Sequence, residues 1–369
     1  MKRTAVAAAA ILTVVSMLAG CTREEAEKVI QPLVADVQET TEAEEMEETE
    51  EEEIPAIPEI DTTIPITAGA RIAVVSKSTK GQFWDIVRKG MEDAVKAVNE
   101  AYGYEKDDQI TMTFEGPDNE QNVGDQINII DAVIAENPDV LCISAGDMDS
   151  CLAQLEAAKE NGIPVVVFDS NVTETKLIRA FRATNNTLVG EIAAVQLGTA
   201  IGKMGRVAVF SAQEKTQSAK NRTEGFIDKI SNYTDIEVVE VVYEDQVEDM
   251  TEAMQAVLEK YPDLDGVFCT NANVAEEYLD MDKDEENKKI AMVGVDATTR
   301  QQEAVRNGEE IGVVSQQPYA IGYQTMWTAI EATAPRKKVK IQKRILLDPA
   351  WIDAGNIDNP EYSDYIYTD

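Results

Sequence analysis

The sequence predicts an α/β protein of two Rossmann-like lobes, each built on a parallel sheet, and three observations carry that prediction. From Arg71 onward, short apolar, β-branched runs alternate with amphipathic stretches of helical period, the rhythm of strand, crossover helix and parallel strand. Two of these runs, 163–168 and 290–295, stop abruptly on a carboxylate, Asp169 and Asp296. Roughly ten strands in this stretch suit two sheets better than one.

The chain opens with Lys2 and Arg3, a mostly apolar segment over 5–19, and Leu18-Ala19-Gly20-Cys21. A charged start, a short apolar core and small residues before a cut site describe an export signal, too short to span a bilayer comfortably. The four closing residues resemble the lipobox of bacterial lipoproteins, which implies cleavage after residue 20 and lipid on Cys21. Residues 21–70 then read as an acidic, disordered tether. Ten glutamates fall within 39–53 and nothing basic occurs between Lys28 and Arg71; like charge with little apolar surface does not fold.

In the folded region, 72–75, 110–114, 140–144 and 164–168 read as strands of a first sheet. Helical period runs through 83–98, 123–134 and 151–158 between them. A second set of strands lies at 207–210, 238–242, 266–269, 291–295 and 311–314, with helices near 218–230, 251–261 and 300–307.

Composition narrows the function. The formal net charge is −36 and the chain has no histidine. Nucleic acid and anionic lipid headgroups would be repelled as partners, and histidine bases, triads and metal ligands are excluded. No G-x-G-x-x-G follows the first strand and no G-x-x-x-x-G-K-[ST] occurs, so nucleotide cofactors are not indicated. Asp280-x-Asp282-x-Asp284 opens like a calcium loop but lacks the glycine and glutamate that complete one, so no metal is expected. Cys142 and Cys269 sit in strand-like runs as buried thiols, with a Cys142–Cys151 bridge the minority reading.

Several segments, in order, resemble the type I periplasmic binding proteins of the ribose and galactose group. They are Ala73-Val74-Val75-Ser76 through Phe83-Trp84, then the run closing on Asp169, then Ser218-Ala219-x-x-Arg222-x-x-Gly225-Phe226. Gly266 to Asn271, Val293-Gly294-Val295-Asp296 and Ser315-Gln316-Gln317-Pro318 follow. The resemblance implies three crossings between lobes. Lobe one would hold 71–183 and 318–342, with the helix 319–332 returning to it, and lobe two would hold 184–317 and 343–369. It also implies a ligand site in the hinged cleft between them.

Residue by residue, the resemblance implies that Phe83 and Trp84 stack on a sugar. Asp169 would accept its hydroxyls, Arg222 would donate to its oxygens, and Asn271, Asp296 and Gln316 would complete the polar set. Departures exist: Gly81-Gln82 stands where ribose receptors carry Asn-Pro, Ser170 replaces arginine, and Asp245 and Val295 replace aromatics of lobe two. Lys77, Asn171, Asp245 and Asn273 therefore become candidates for further contacts. The expected function is a monomeric, lipid-anchored receptor on the extracytoplasmic face, binding a sugar or polyol for an ABC permease, without cofactor or chemistry. A sensory co-receptor for a membrane kinase is the alternative; an enzyme on this architecture comes third.

Overall fold

The computed structural model describes residues 56–281 and 289–368. The export signal, Cys21, most of the tether, and Asp282 and Asp284 lie outside the described residues. Among the described residues, twelve strands form two six-stranded sheets of the same design. In the first, the order is β11 (Arg344–Leu347), β5 (Ala180–Thr184), β4 (Val165–Phe168), β3 (Val140–Ile143), β1 (Arg71–Val75), β2 (Thr111–Glu115), every pairing parallel. In the second it is β12 (Ala350–Ile352), β10 (Gly312–Ser315), β9 (Ala291–Val295), β8 (Gly266–Cys269), β6 (Met204–Ser211), β7 (Asp235–Tyr243), parallel except for β12.

The correspondence matters for the site: β4 and β9 occupy the same place in their sheets, so Asp169 and Asp296 follow equivalent strands. The central strands are buried on both faces, which is why their sequences are continuous apolar runs rather than alternating ones.

Three strands carry no clean apolar signal and are not among the predicted ones: β5, β11 and β12. β5 contains Arg182, which is 2% exposed yet hydrogen-bonded through all three of its guanidinium nitrogens. Its Nε donates to Thr328 Oγ1 (2.9 Å), Nη1 to the Phe181 carbonyl (2.8 Å) and Nη2 to the Gln342 carbonyl (2.9 Å), while burial pulls its pKa down to about 10. Because β11 pairs with β5, the last passage from first sheet to second lies between Leu347 and Ala350. The expected boundary at 343 is therefore a few residues too early.

The helices are α1 (Gln82–Tyr102), α2 (Val123–Ala135), α3 (Leu152–Glu160), α4 (Asn186–Ala200), α5 (Gln217–Ile230), α6 (Met250–Lys260), α7 (Ala272–Asp280), α8 (Thr299–Asn307) and α9 (Pro318–Ala332). α9 is buried almost all round and packs against α1 and the first sheet. In the second lobe, α4 and α5 cross at bare backbone. A Cβ on Gly190 would meet the Arg222 carbonyl at 2.1 Å and one on Gly225 the Thr187 carbonyl at 2.4 Å, so only glycine permits this approach.

The stretch before β1 also corrects an expectation. Ile60, Ile64 and Ile66 pack on the first core, the Tyr102 hydroxyl sits 2.8 Å from the Asp61 and Ile64 carbonyls, and Thr67 N donates to Thr333 Oγ1 (2.9 Å). Residues 56–70 thus belong to the folded body rather than to a tether. Cys142 and Cys151 are free and buried; burial raises the Cys142 thiol pKa far above its usual range and that of Cys151 to about 11. Among the described residues no helix is long and apolar enough to cross a membrane.

Candidate functional site

The carboxyl ends of both sheets face one cavity of about 350 Å³ between the lobes, the position where open α/β sheets bind ligands. Asp169 and Asp296 enter it from opposite sides by the same device. Each follows its strand with a positive φ, +55° at Asp169 and +81° at Asp296, so the backbone turns sharply. Such conformations are uncommon outside glycine and cost about 1–3 kcal/mol each.

Asp169 is 3% exposed. Its Oδ2 accepts from Ser144 Oγ (2.9 Å) and lies 3.0 Å from Lys77 Nζ; no described protein group donates to Oδ1. Lys77 continues to Glu120 Oε2 (3.5 Å) and lies over the Trp84 ring, while Trp84 Nε1 donates to Glu120 Oε1 (2.8 Å). Burial alone would lower the Lys77 pKa, but the Asp169 and Glu120 carboxylates outweigh it and the net shift is upward, so the ammonium stays charged. Trp84 belongs to the first core and meets Phe83 edge-on at 5.0 Å. Both line the cavity, Phe83 being the less buried of the two.

Arg222 comes from α5. The glycine crossing seats α5 against α4, so Arg222 Nε donates to Asn186 Oδ1 (2.7 Å) and Nη1 to the Thr270 carbonyl (2.8 Å). Two of the five guanidinium donors are thereby used and the planar group is held rigidly at the cavity wall. Asn271 caps α7, its Oδ1 accepting from Val274 N (3.0 Å), and lines the cavity as well. Asp296 Oδ2 accepts from Ala272 N (3.0 Å); its Oδ1 accepts from Gln316 Nε2 (2.6 Å) and from the Tyr367 hydroxyl (2.8 Å). Gln316 is tied at its other end, where Oε1 accepts from Thr184 Oγ1 (2.7 Å).

All seven principal candidates therefore meet in one cavity, joined by Lys77 and Asn273. Two secondary candidates do not. Asn171 is absent from the lining, its Oδ1 buried without a partner. Asp245 is exposed in a separate groove with Oδ1 accepting from Glu214 N (2.9 Å), and its neighbour Glu244 lines the cavity instead. The 3-10 turn at Glu244–Gln246 rotates consecutive residues to different sides, which a sequence offset cannot show.

Contacts across the cleft draw on residues outside the predicted site set. Gln82 Nε2 donates to Thr299 Oγ1 (2.9 Å) while Thr299 N donates to Gln82 Oε1 (2.8 Å). The Gln121 amide donates to the Glu244 carboxylate, Thr216 Oγ1 to the Gly146 carbonyl (2.5 Å), and Met148 N to the Lys215 carbonyl (3.0 Å). Burial pushes the Glu244 carboxyl up to about 7, with Glu120, Glu277 and Asp245 adding repulsion against the lowering effect of the Gln121 amide.

A family model described as the periplasmic binding protein domain matches residues 72–337. A ribose import binding protein of Bacillus subtilis is 24% identical over 197 residues, 53% of this chain and 64% of that protein, so the match spans less than two thirds of its length. Among solved structures, an ABC transporter solute-binding protein of Agrobacterium vitis with bound D-fucose is 28% identical with a TM-score of 0.73, covering 80% of this chain and all of that one. A second from the same organism, with bound α-D-tagatopyranose, is 26% identical with a TM-score of 0.74, covering 81% of this chain and all of that one.

Proposed function

The chain belongs to the periplasmic binding protein family, and on that premise we propose that it is a solute receptor that closes on a monosaccharide or similar polyol and hands it to an ABC importer. The observation that carries this reading is the pair of left-handed aspartates, Asp169 and Asp296, aimed from equivalent strands into one cavity that Arg222 also lines. Carboxylates and a guanidinium match the donors and acceptors of sugar hydroxyls, and the Phe83 ring offers an apolar face for C–H groups. At about 350 Å³ the cavity is near the small end of ligand sites, suiting one sugar ring rather than an oligosaccharide. Among the described residues the second lobe contributes no aromatic ring to it, so its grip is polar.

The sugars carried by the neighbouring structures and the import roles named for the relatives support the reading. We also read Cys21 as the lipid attachment point, holding a monomeric receptor to the extracytoplasmic face of the membrane. The ligand leaves unchanged, and no cofactor is needed. Thermal unfolding against a panel of monosaccharides tests the function. A bound sugar at a hundredfold excess over Kd stabilises by about 2.7 kcal/mol, raising the midpoint by several degrees. No shift with any pentose, hexose or polyol contradicts the reading, and conversion of the sugar during incubation contradicts its non-catalytic part.

A further inference from the structure

We propose that Tyr367, delivered by the C-terminal segment beyond the last strand, is a positioning residue of the sugar site. Its hydroxyl fixes Asp296 and leaves that carboxylate a single acceptor position for a single ligand hydroxyl. The proposal rests on the sugar-binding reading above.

The family match ends at residue 337, but the chain continues through β11 and β12 into a 3-10 helix, Pro360–Tyr365, and returns to the cleft. It is fastened there at several points. Ser315 Oγ donates to the Tyr365 carbonyl (2.5 Å), Gln317 Nε2 to Tyr365 Oη (2.9 Å), Tyr367 N to the Ala297 carbonyl (3.2 Å), and Gln302 Nε2 to the Tyr367 carbonyl (2.7 Å). Tyr367 ends up 1% exposed, its ring 6.4 Å from that of Phe83 on the opposite lobe.

A buried phenol needs a partner for its O–H, and this one has Asp296 Oδ1 at 2.8 Å. An ionised carboxylate has about four acceptor positions. Gln316 and Tyr367 occupy those of Oδ1 and Ala272 N one on Oδ2, so one remains. Asp169 differs: both of its described donors sit on Oδ2, leaving Oδ1 for the ligand. The two carboxylates therefore grip unequally, Asp169 able to take two hydroxyls and Asp296 one. Burial, with the negative charge of Asp296 adjacent, raises the phenol pKa well above its ordinary value, so Tyr367 remains a donor at any physiological pH.

The test is a double-mutant cycle on the mature chain, titrated calorimetrically with D-ribose, D-allose, D-fucose and D-tagatose. For the tightest binder, Tyr367→Phe should weaken affinity about tenfold or more, the loss of a hydrogen bond to a charged group, whereas Tyr362→Phe should leave it unchanged. In an Asp296→Asn background the same Tyr367→Phe change should cost less than about twofold, because its partner is already altered. Parent-like affinity in Tyr367→Phe, or an equal loss in both backgrounds, overturns the proposal. Sugar-free melting of the parent, the Tyr367→Phe and Asp296→Asn variants and their combination gives a second cycle. If no sugar binds the parent, the functional reading fails by itself and melting decides the Tyr367 proposal: non-additive shifts support the coupling, additive ones overturn it.

Discussion

Arg222 occupies a position that another cation could not serve. Its fork joins Asn186 on α4 to the Thr270 carbonyl at the end of β8, a bridge that a single ammonium cannot span. Arg222→Lys should therefore lower sugar affinity by about tenfold or more, with a fold still cooperative by thermal unfolding; unchanged affinity in a calorimetric titration would remove Arg222 from the site. Much of the site is legible in the sequence alone, because a polar side chain directly after a buried apolar run has few destinations other than a sheet edge. Asp169 and Asp296 have that property, and Asn271 stands one residue further on, after Thr270. Glu120, Glu244 and Tyr367 lack it, arriving from loops and a tail with no periodicity to mark them. The expectation for Asp245 misses by one residue for the same reason: a tight turn has no fixed facing.

At the level of elements, continuous apolar strands and amphipathic helices are readable because burial on two faces or one face leaves different periods. Where polar groups are buried with internal partners, that rule fails. β5 shows this, since Arg182 inside the sheet looks like a surface residue until its three hydrogen bonds are seen. β11 and β12 are short edge strands whose placement depends on long-range pairing, and the passage between sheets moves with them. The glycine crossing of α4 and α5 is visible in the sequence only as part of a motif, Arg222-x-x-Gly225. Its physical content is the close approach of backbones, which sets where Arg222 reaches.

For the whole molecule, the functional property is the meeting of two lobes, and one carboxyl couples it to pH. Glu244 lies on the second lobe and accepts from Gln121 on the first, near Glu120. Its carboxyl titrates near 7 with the lobes in contact, against an ordinary value of 4.5 when solvated. Contact therefore binds a proton. The linked stabilisation is fully present below about 4.5 and is lost as pH rises through 7. Sugar affinity should rise severalfold from pH 8 to pH 6, and Glu244→Gln should flatten that slope; a parent profile that is flat or inverted would contradict the linkage.

Two carboxylates holding one sugar from opposite lobes are the centre of this account. Isothermal titration calorimetry of the parent and of the double variant Asp169→Asn/Asp296→Asn, with the sugar giving the largest thermal shift, addresses that directly. The expected result is one site per chain in the parent and a loss of affinity of at least about a hundredfold in the double variant, the effect of losing at least one hydrogen bond to a charged acceptor from each lobe. A double variant that binds the same sugar with the parent's affinity and stoichiometry would contradict it.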